Sequence, residues 1–192
     1  MMRIISGKAR GTKLKTLEGE NTRPTLERVK EALFSMIQWD IGDAFVLDLF
    51  AGSGQLALEA LSRGAAGADL VDRSPEAVKI IKENIQKTHC ESSASVICKD
   101  FRAFLATAKR KYDLVFLDPP YAAEMILSSI DVLVKNDLLS ESAVVVCEIS
   151  AEDTNTEKAI LSSFEDILSV RKNSVYARSR IIILDRVGSS EE

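Results

Sequence analysis

Four runs rich in apolar residues each end on an aspartate, at Asp48, Asp72, Asp100 and Asp118. If the runs are neighbouring strands, their ends gather four carboxylates along one edge of a sheet. Asp118 also opens the tetrapeptide Asp118-Pro119-Pro120-Tyr121. Two prolines stiffen the chain and donate no hydrogen bonds, so the Asp118 side chain and the Pro119 carbonyl remain as acceptors. Such a row repels phosphate and suits a cation and an amine. Transfer of a methyl group from a sulfonium donor, S-adenosylmethionine, to the exocyclic amine of a base uses both. Two acceptors hold the amine and aim its lone pair, a matter of orientation. Tyr121 offers a ring on which an extruded base can stack.

The first acid belongs to a second motif, Asp48-Leu49-Phe50-Ala51-Gly52-Ser53-Gly54. Glycines between a strand and a helix let a ligand approach the backbone, and the helix N-terminus presents unpaired N–H groups to a carboxylate. Nicotinamide and flavin cofactors use similar turns. The dinucleotide fingerprint is incomplete, since Ala57 stands where a third glycine would be, although alanine is tolerated there. The acids separate the possibilities better. In strand order 3-2-1-4 the row reads Asp100, Asp72, Asp48, Asp118 and spans roughly 14 Å, about the extent of an adenosine joined to a methionine. Asp48, Asp72 and Asp100 taken singly could instead be turn formers or helix caps, and Asp118-Pro119-Pro120-Tyr121 a proline turn after a strand.

The elements needed to position these residues are legible in the periodicity. Strand-like runs fall at 45–50, 68–71, 95–98, 112–117 and 143–149. Helical stretches lie between them at about 55–63, from Ser74-Pro75 to about Lys87, at 101–109 and at 122–135. This βαβα order predicts a mostly parallel sheet covered by helices on both faces. Runs at 167–175 and 180–187 leave no room for a crossover helix and predict an antiparallel hairpin. Ahead of the sheet, residues 3–17 read as a basic hairpin or extended arm. Thr25 is the expected N-cap of a helix running to about Trp39, with Val29, Leu33, Phe34 and Ile37 on one face.

At 192 residues the chain is long enough for one domain with a substantial core. No apolar run approaches a membrane span or a signal peptide, so a cytoplasmic protein is expected. Cys90, Cys98 and Cys147 are odd in number and lack C-x-x-C spacing, which speaks against zinc and disulfides. Reduced, buried thiols are expected at Cys98 and Cys147, no metal is expected, and the single His89 reads as a surface residue. The net charge of -4 hides a local imbalance. Residues 1–17 hold Arg3, Lys8, Arg10, Lys13 and Lys15 and no acid. A second basic group, Arg171, Lys172, Arg178, Arg180 and Arg186, lies near the C-terminus. Such clusters attract nucleic-acid backbones whatever the total charge.

Several further motifs join D-P-P-Y and D-L-F-A-G-S-G: R-I-I-S-G-K-A-R-G-T-K-L at 3–14, T-R-P-T at 22–25, R-V-K-E-A-L-F at 28–34 and L-E-A-L-S-R-G-A at 58–65. Together they resemble the bacterial 16S ribosomal RNA guanine-N2 methyltransferases of the RsmD type, over nearly the whole chain. The resemblance implies a Rossmann-like class I methyltransferase fold, with seven strands ordered 3-2-1-4-5-7-6 and the last antiparallel. It would comprise an RNA-facing hairpin and helix at 1–40 and a methyltransferase domain at 41–188. It implies S-adenosylmethionine as cofactor and N2 of guanine 966 in the small subunit, or an assembly intermediate of it, as target. Gly52 and Gly54 would approach the methionine moiety, with Asp48 close by. Asp72 would hold the ribose, and Asp100 with Phe101 would frame the adenine. Phe50, Ser53 and Arg73 complete the cofactor set. Asp118, Pro119, Pro120 and Tyr121 would receive the guanine amine. Lys8, Arg10, Lys13, Arg23 and Arg28 would face RNA, with Arg10 and Arg23 equally able to face the cofactor. Many relatives carry an acid at the place of Ser74, which here makes a sound helix start instead. A monomer is the working expectation. The alternatives are an adenine-N6 or cytosine-N4 methyltransferase, a non-catalytic RNA-binding module and an NAD-type oxidoreductase. Of these, a DNA-acting enzyme lacks any segment large enough for target recognition.

Overall fold

A computed structural model describes residues 2–17, 24–120 and 122–187. Seven strands form one sheet in the order β3-β2-β1-β4-β5-β7-β6. They are β1 (Phe45–Asp48), β2 (Gly67–Asp72), β3 (Ala94–Cys98), β4 (Tyr112–Leu117), β5 (Leu139–Ser150), β6 (Leu168–Tyr176) and β7 (Ser179–Arg186). The first five run parallel, and β7 pairs antiparallel with both β5 and β6. The switch in strand direction of growth falls between β1 and β4, where ligands bind in doubly wound sheets.

Alternation along the strands divides the core into two layers. Val46, Leu114, Phe116, Val144, Val146, Ile181 and Ile183 face one side. There they meet α1 (Pro24–Met36), α2 (Gln55–Ser62) and α3 (Pro75–Thr88). Leu47, Val115, Leu117, Val145, Cys147, Ile182 and Leu184 face the other, against α4 (Phe101–Leu105), α5 (Ala122–Lys135) and α6 (Thr154–Ser163). Strands apolar on both faces are what a parallel sheet between two helical layers requires.

Local differences from the sequence expectations have identifiable causes. The first helix begins at Pro24, so Thr25 lies inside it and is not its cap; proline's fixed φ suits the first helical position. The helix stops at Met36, and Trp39 is 88% exposed. Helix α4 ends at Leu105 because Ala106-Thr107-Ala108-Lys109 offers no further apolar stripe to bury. Strand β5 starts four residues early. Leu139 pairs with Tyr112, and an irregularity before Leu114 hides this behind the polar Ser140-Glu141-Ser142. Helix α6 buries only Thr156 and Ile160, too little to announce itself, and relies on an Asp153 cap that accepts the Thr156 N–H at 3.0 Å. Cys98 is exposed, not buried, because β3 is an edge strand; Cys90 and Cys147 are buried.

The N-terminal arm closes as a small hairpin through an Arg3–Lys13 bridge. Ile4 accepts the Gly11 N–H and donates to Thr12. Gly7 has φ +83°, and a Cβ there would meet the Ser62 carbonyl at 1.8 Å, so only glycine lets the arm lie this close to α2.

Candidate active site

The four acids stand at the carboxyl edge of the sheet as the strand order requires. Asp48 ends β1, is 2% exposed, and accepts the Ala57 N–H from the first turn of α2 at 3.3 Å. Burial pushes its carboxyl up to about 7, and the neighbouring Asp72 adds to the rise. Asp72 ends β2 and accepts two backbone N–H groups, from Gly52 at 2.9 Å and from Ser74 at 2.8 Å. One of its oxygens therefore fixes the glycine turn, and the other fixes the start of α3. Ser74 caps that helix, its hydroxyl accepting the Ala77 N–H at 3.3 Å. Asp100 caps α4 through the Arg102 N–H at 2.9 Å while remaining exposed to solvent. The capping role and the position facing the cavity coexist in this one residue.

Asp48, Phe50, Gly52, Ser53, Asp72, Arg73, Asp100, Phe101, Asp118, Pro119 and Pro120 line one cavity of about 400 Å³. That volume lies in the range of small-molecule and cofactor sites. Phe50 and Phe101 meet with ring centroids 5.3 Å apart, giving the Asp100 end an aromatic wall. At the opposite end Asp118 and Pro120 are exposed and Pro119 is buried, so the rigid turn forms a rim between cavity and solvent. Gly54 does not line the cavity. Its φ is +77°, and a Cβ there would meet Leu70 at 2.9 Å, so it closes the turn onto the sheet. Tyr121 and Arg23 lie outside the described residues.

Ser74, read from the sequence only as a helix start, also lines the cavity, as do Leu17, Gln55, Leu56, Ala77, Lys99 and Met125, which the sequence does not mark as site residues. Leu17 had no signal at all, because only the folded arm brings it there. Lys99, directly before Asp100, could have been noticed as a cation among the acids, as Arg73 beside Asp72 was.

On the outer surface Lys8, Arg10, Lys13 and Arg28 are exposed. Among the described residues none of these four has an acidic partner, whereas Arg3 pairs with Glu27 and Lys15 with Glu83. The C-terminal basic group is a different matter. Arg171 is held by Asp40 and Asp185, Arg180 by Glu157 and Arg186 by Asp137. The sequence reading of that group as a source of local positive potential is corrected: three of its five charges are neutralised within the fold.

The family model described as "Conserved hypothetical protein 95" matches residues 2–177. Ribosomal RNA small subunit methyltransferase D of Escherichia coli is 38% identical over 152 residues, covering 79% of this chain and 76% of that protein. The chain belongs to this family. Among solved structures, the yhhF protein of Escherichia coli superposes with a TM-score of 0.84 at 31% identity, over 98% of this chain and 99% of that one. SMU.776, a methyltransferase solved with SAH, shares the fold alone. Its TM-score is 0.68 at 15% identity, over 84% of this chain and 49% of that one. The architecture is thus the Rossmann-like fold of methyltransferases, with the hairpin-ended sheet anticipated from the sequence.

Proposed function

We propose that this protein methylates the exocyclic N2 amine of a guanine in 16S ribosomal RNA, the base that family resemblance places at position 966, with S-adenosylmethionine as donor. One observation carries the reading: the row of acids and the Asp118–Pro120 turn line a single cavity, in which Asp48 is buried and Asp100 and Asp118 are open to solvent.

The donor set fits that cofactor. Asp48 and the Gly52 backbone would hold the methionine end, Asp72 the ribose, and Asp100 with Phe50 and Phe101 the adenine. S-adenosylmethionine is cationic at sulfur and at its amine, so it gains from acids that would repel a pyrophosphate. When bound it supplies an electrophilic methyl carbon. The Asp118 carboxylate and the Pro119 carbonyl accept the two N–H groups of the guanine amine and keep its lone pair directed into the cavity. The exposed side of Asp118 passes the proton released on transfer to water. The buried Pro119 excludes water from the line of attack. The small ribosomal subunit, or an assembly intermediate of it, is engaged through Lys8, Arg10, Lys13 and Arg28 by phosphate contacts.

Mass spectrometry of ribosomal RNA nucleosides, from cells with and without the gene, tests the reading. N2-methylguanosine in the small subunit should fall by one residue per particle and return when the gene is restored. Loss of N6-methyladenosine or N4-methylcytidine instead would overturn the choice of base.

A further inference from the structure

One acid at the sheet's carboxyl edge has no part in the scheme above. Leu117 of β4 and Cys147 of β5 are partners in parallel register, and the next residues along are Asp118 and Glu148. Side chains alternate between faces along a strand. Phe116 and Val146 both face the layer beneath α1 and α2, so Asp118 and Glu148, each two residues further on, turn to that same side. They line one crevice with Leu33, Leu56 and Ile181. Leu56 and Asp118 line the main cavity as well, so the crevice opens from the acceptor end of the site.

Glu148 is half-buried among these apolar side chains, and burial raises its carboxyl above the ordinary range, with a hydrogen bond from Ser179 working against the rise. An apolar residue would pack there without the desolvation cost that a carboxyl carries. Its apolar neighbours therefore give no reason for an acid at this position, and Ser179 is the partner it meets within the fold.

We propose that Glu148 accepts the ring N1–H of the target guanine and so sets the choice of base. The inference rests on the reading of Asp118 as the holder of the amine. An extruded base is read along its Watson–Crick edge. Guanine presents a ring N–H beside its amine on that edge, whereas adenine and cytosine present a bare ring nitrogen beside theirs. Two carboxylates side by side therefore match guanine and repel the lone pair of the other two. The crevice has room for about 10 Å³, so an atom on the edge of a base reaches toward Glu148, and a whole ring does not.

The test uses small-subunit RNA carrying either guanine or 2-aminopurine at the mapped target. The analogue keeps the N2 amine and lacks the N1–H. Wild-type enzyme should favour guanine in kcat/KM by roughly ten- to a hundredfold. Glu148→Gln, whose amide can donate to a bare ring nitrogen, should lose about tenfold or more on guanine and narrow that preference. Its binding of S-adenosylmethionine, measured by calorimetry, should stay within about twofold of wild type. Comparing the ratio across enzymes isolates the N1–H from the other change in the analogue. Equal slowing on both RNAs, or an unaltered ratio, would overturn the proposal. Should the variant not fold, the wild-type comparison decides alone, and equal rates on the two RNAs end the idea. Failure of the underlying reading looks different: wild-type enzyme would then place no methyl group on guanine N2 in either assay.

Discussion

The side-chain amide of Asn84 donates to the carbonyl of Ser53 at 2.9 Å and ties the glycine turn of the candidate active site to the middle of α3. The same amide group reaches the N-terminal arm, accepting the Lys15 N–H at 2.8 Å and donating to the Lys15 carbonyl at 2.9 Å. One fully buried side chain thus joins the segment carrying the exposed cations to the turn that faces the cofactor cavity.

Asn84→Ala leaves the Ser53 and Lys15 carbonyls and the Lys15 N–H without their partner. Each buried polar group left so costs about 1–3 kcal/mol. Unfolding in urea should show a loss of about 2–5 kcal/mol. Binding of S-adenosylmethionine and of RNA should both weaken, because turn and arm lose a common brace. A variant that weakened RNA binding alone would place Asn84 outside the coupling.

Glu59 is a second such residue. It is fully buried and accepts the N–H groups of Ile5 at 2.8 Å and Ser6 at 3.0 Å. It also pairs with Arg63 at 2.8 Å and with the buried Lys30 at 3.3 Å. Burial lowers the Lys30 pKa, and Glu59 opposes that shift. Glu59→Gln should therefore cost about 3–5 kcal/mol, since it strands a buried ammonium. Chemical denaturation measures this, and a loss under about 1 kcal/mol would count against the pairing.

The contrast between these residues and the rim acids shows what a sequence discloses. Asp48, Asp72, Asp100 and Asp118 were legible because each falls at the end of a strand or within two residues of it, and strand order follows from local pattern and general rules of α/β topology. Glu59 and Asn84 sit at ordinary helical positions, and the arm residues they hold, Ile5, Ser6 and Lys15, are more than fifty residues away. Nothing in their neighbourhood marks them. Glu148 was invisible for a related reason: its meaning depends on the register of β5 against β4, which periodicity leaves open by two residues at a time. The pairing of Arg171 with Asp40, 131 positions away, likewise could not be anticipated from composition.

Asp48 should make the stability of the ligand-free protein depend on pH. Its carboxyl is raised from 3.8 to about 7. The neutral form is favoured, so its contribution to stability is intact below pH 3.8 and is lost as pH rises through 7. Asp48→Asn should therefore stabilise the free protein at pH 8 by up to about 4 kcal/mol while weakening binding of S-adenosylmethionine. A cationic ligand draws the carboxyl back to its charged form. Calorimetry at pH 6.5 in buffers of different ionisation enthalpy should show roughly three-quarters of a proton released on binding. No release would remove Asp48 from the cationic end of the ligand.

Replacing Lys8, Arg10 and Lys13 together by glutamine removes three exposed cations without touching the contacts that anchor the arm. RNA affinity should fall and its dependence on salt should flatten, the slope of log K against log salt dropping by roughly two to three. Filter binding from 50 to 300 mM salt reads the slope, and an unchanged value would take the arm out of the RNA footprint.

Asp118 follows β4, three strands along the sheet from the Asp100–Phe101 end proposed to hold the adenine, so transfer and cofactor binding should separate on mutation. Asp118→Ala removes one of the two acceptors for the amine and should lower single-turnover methyl transfer by about a hundredfold or more, as for loss of an orienting group at the reacting centre. Affinity for S-adenosylmethionine should change by less than about threefold, because an exposed carboxylate at the rim adds little to a screened cation. Asp118→Asn keeps a carbonyl acceptor and should fall between alanine and wild type. If the alanine variant instead lost cofactor affinity and turned over normally once saturated, Asp118 would belong to the cofactor and the acceptor role would pass to another group.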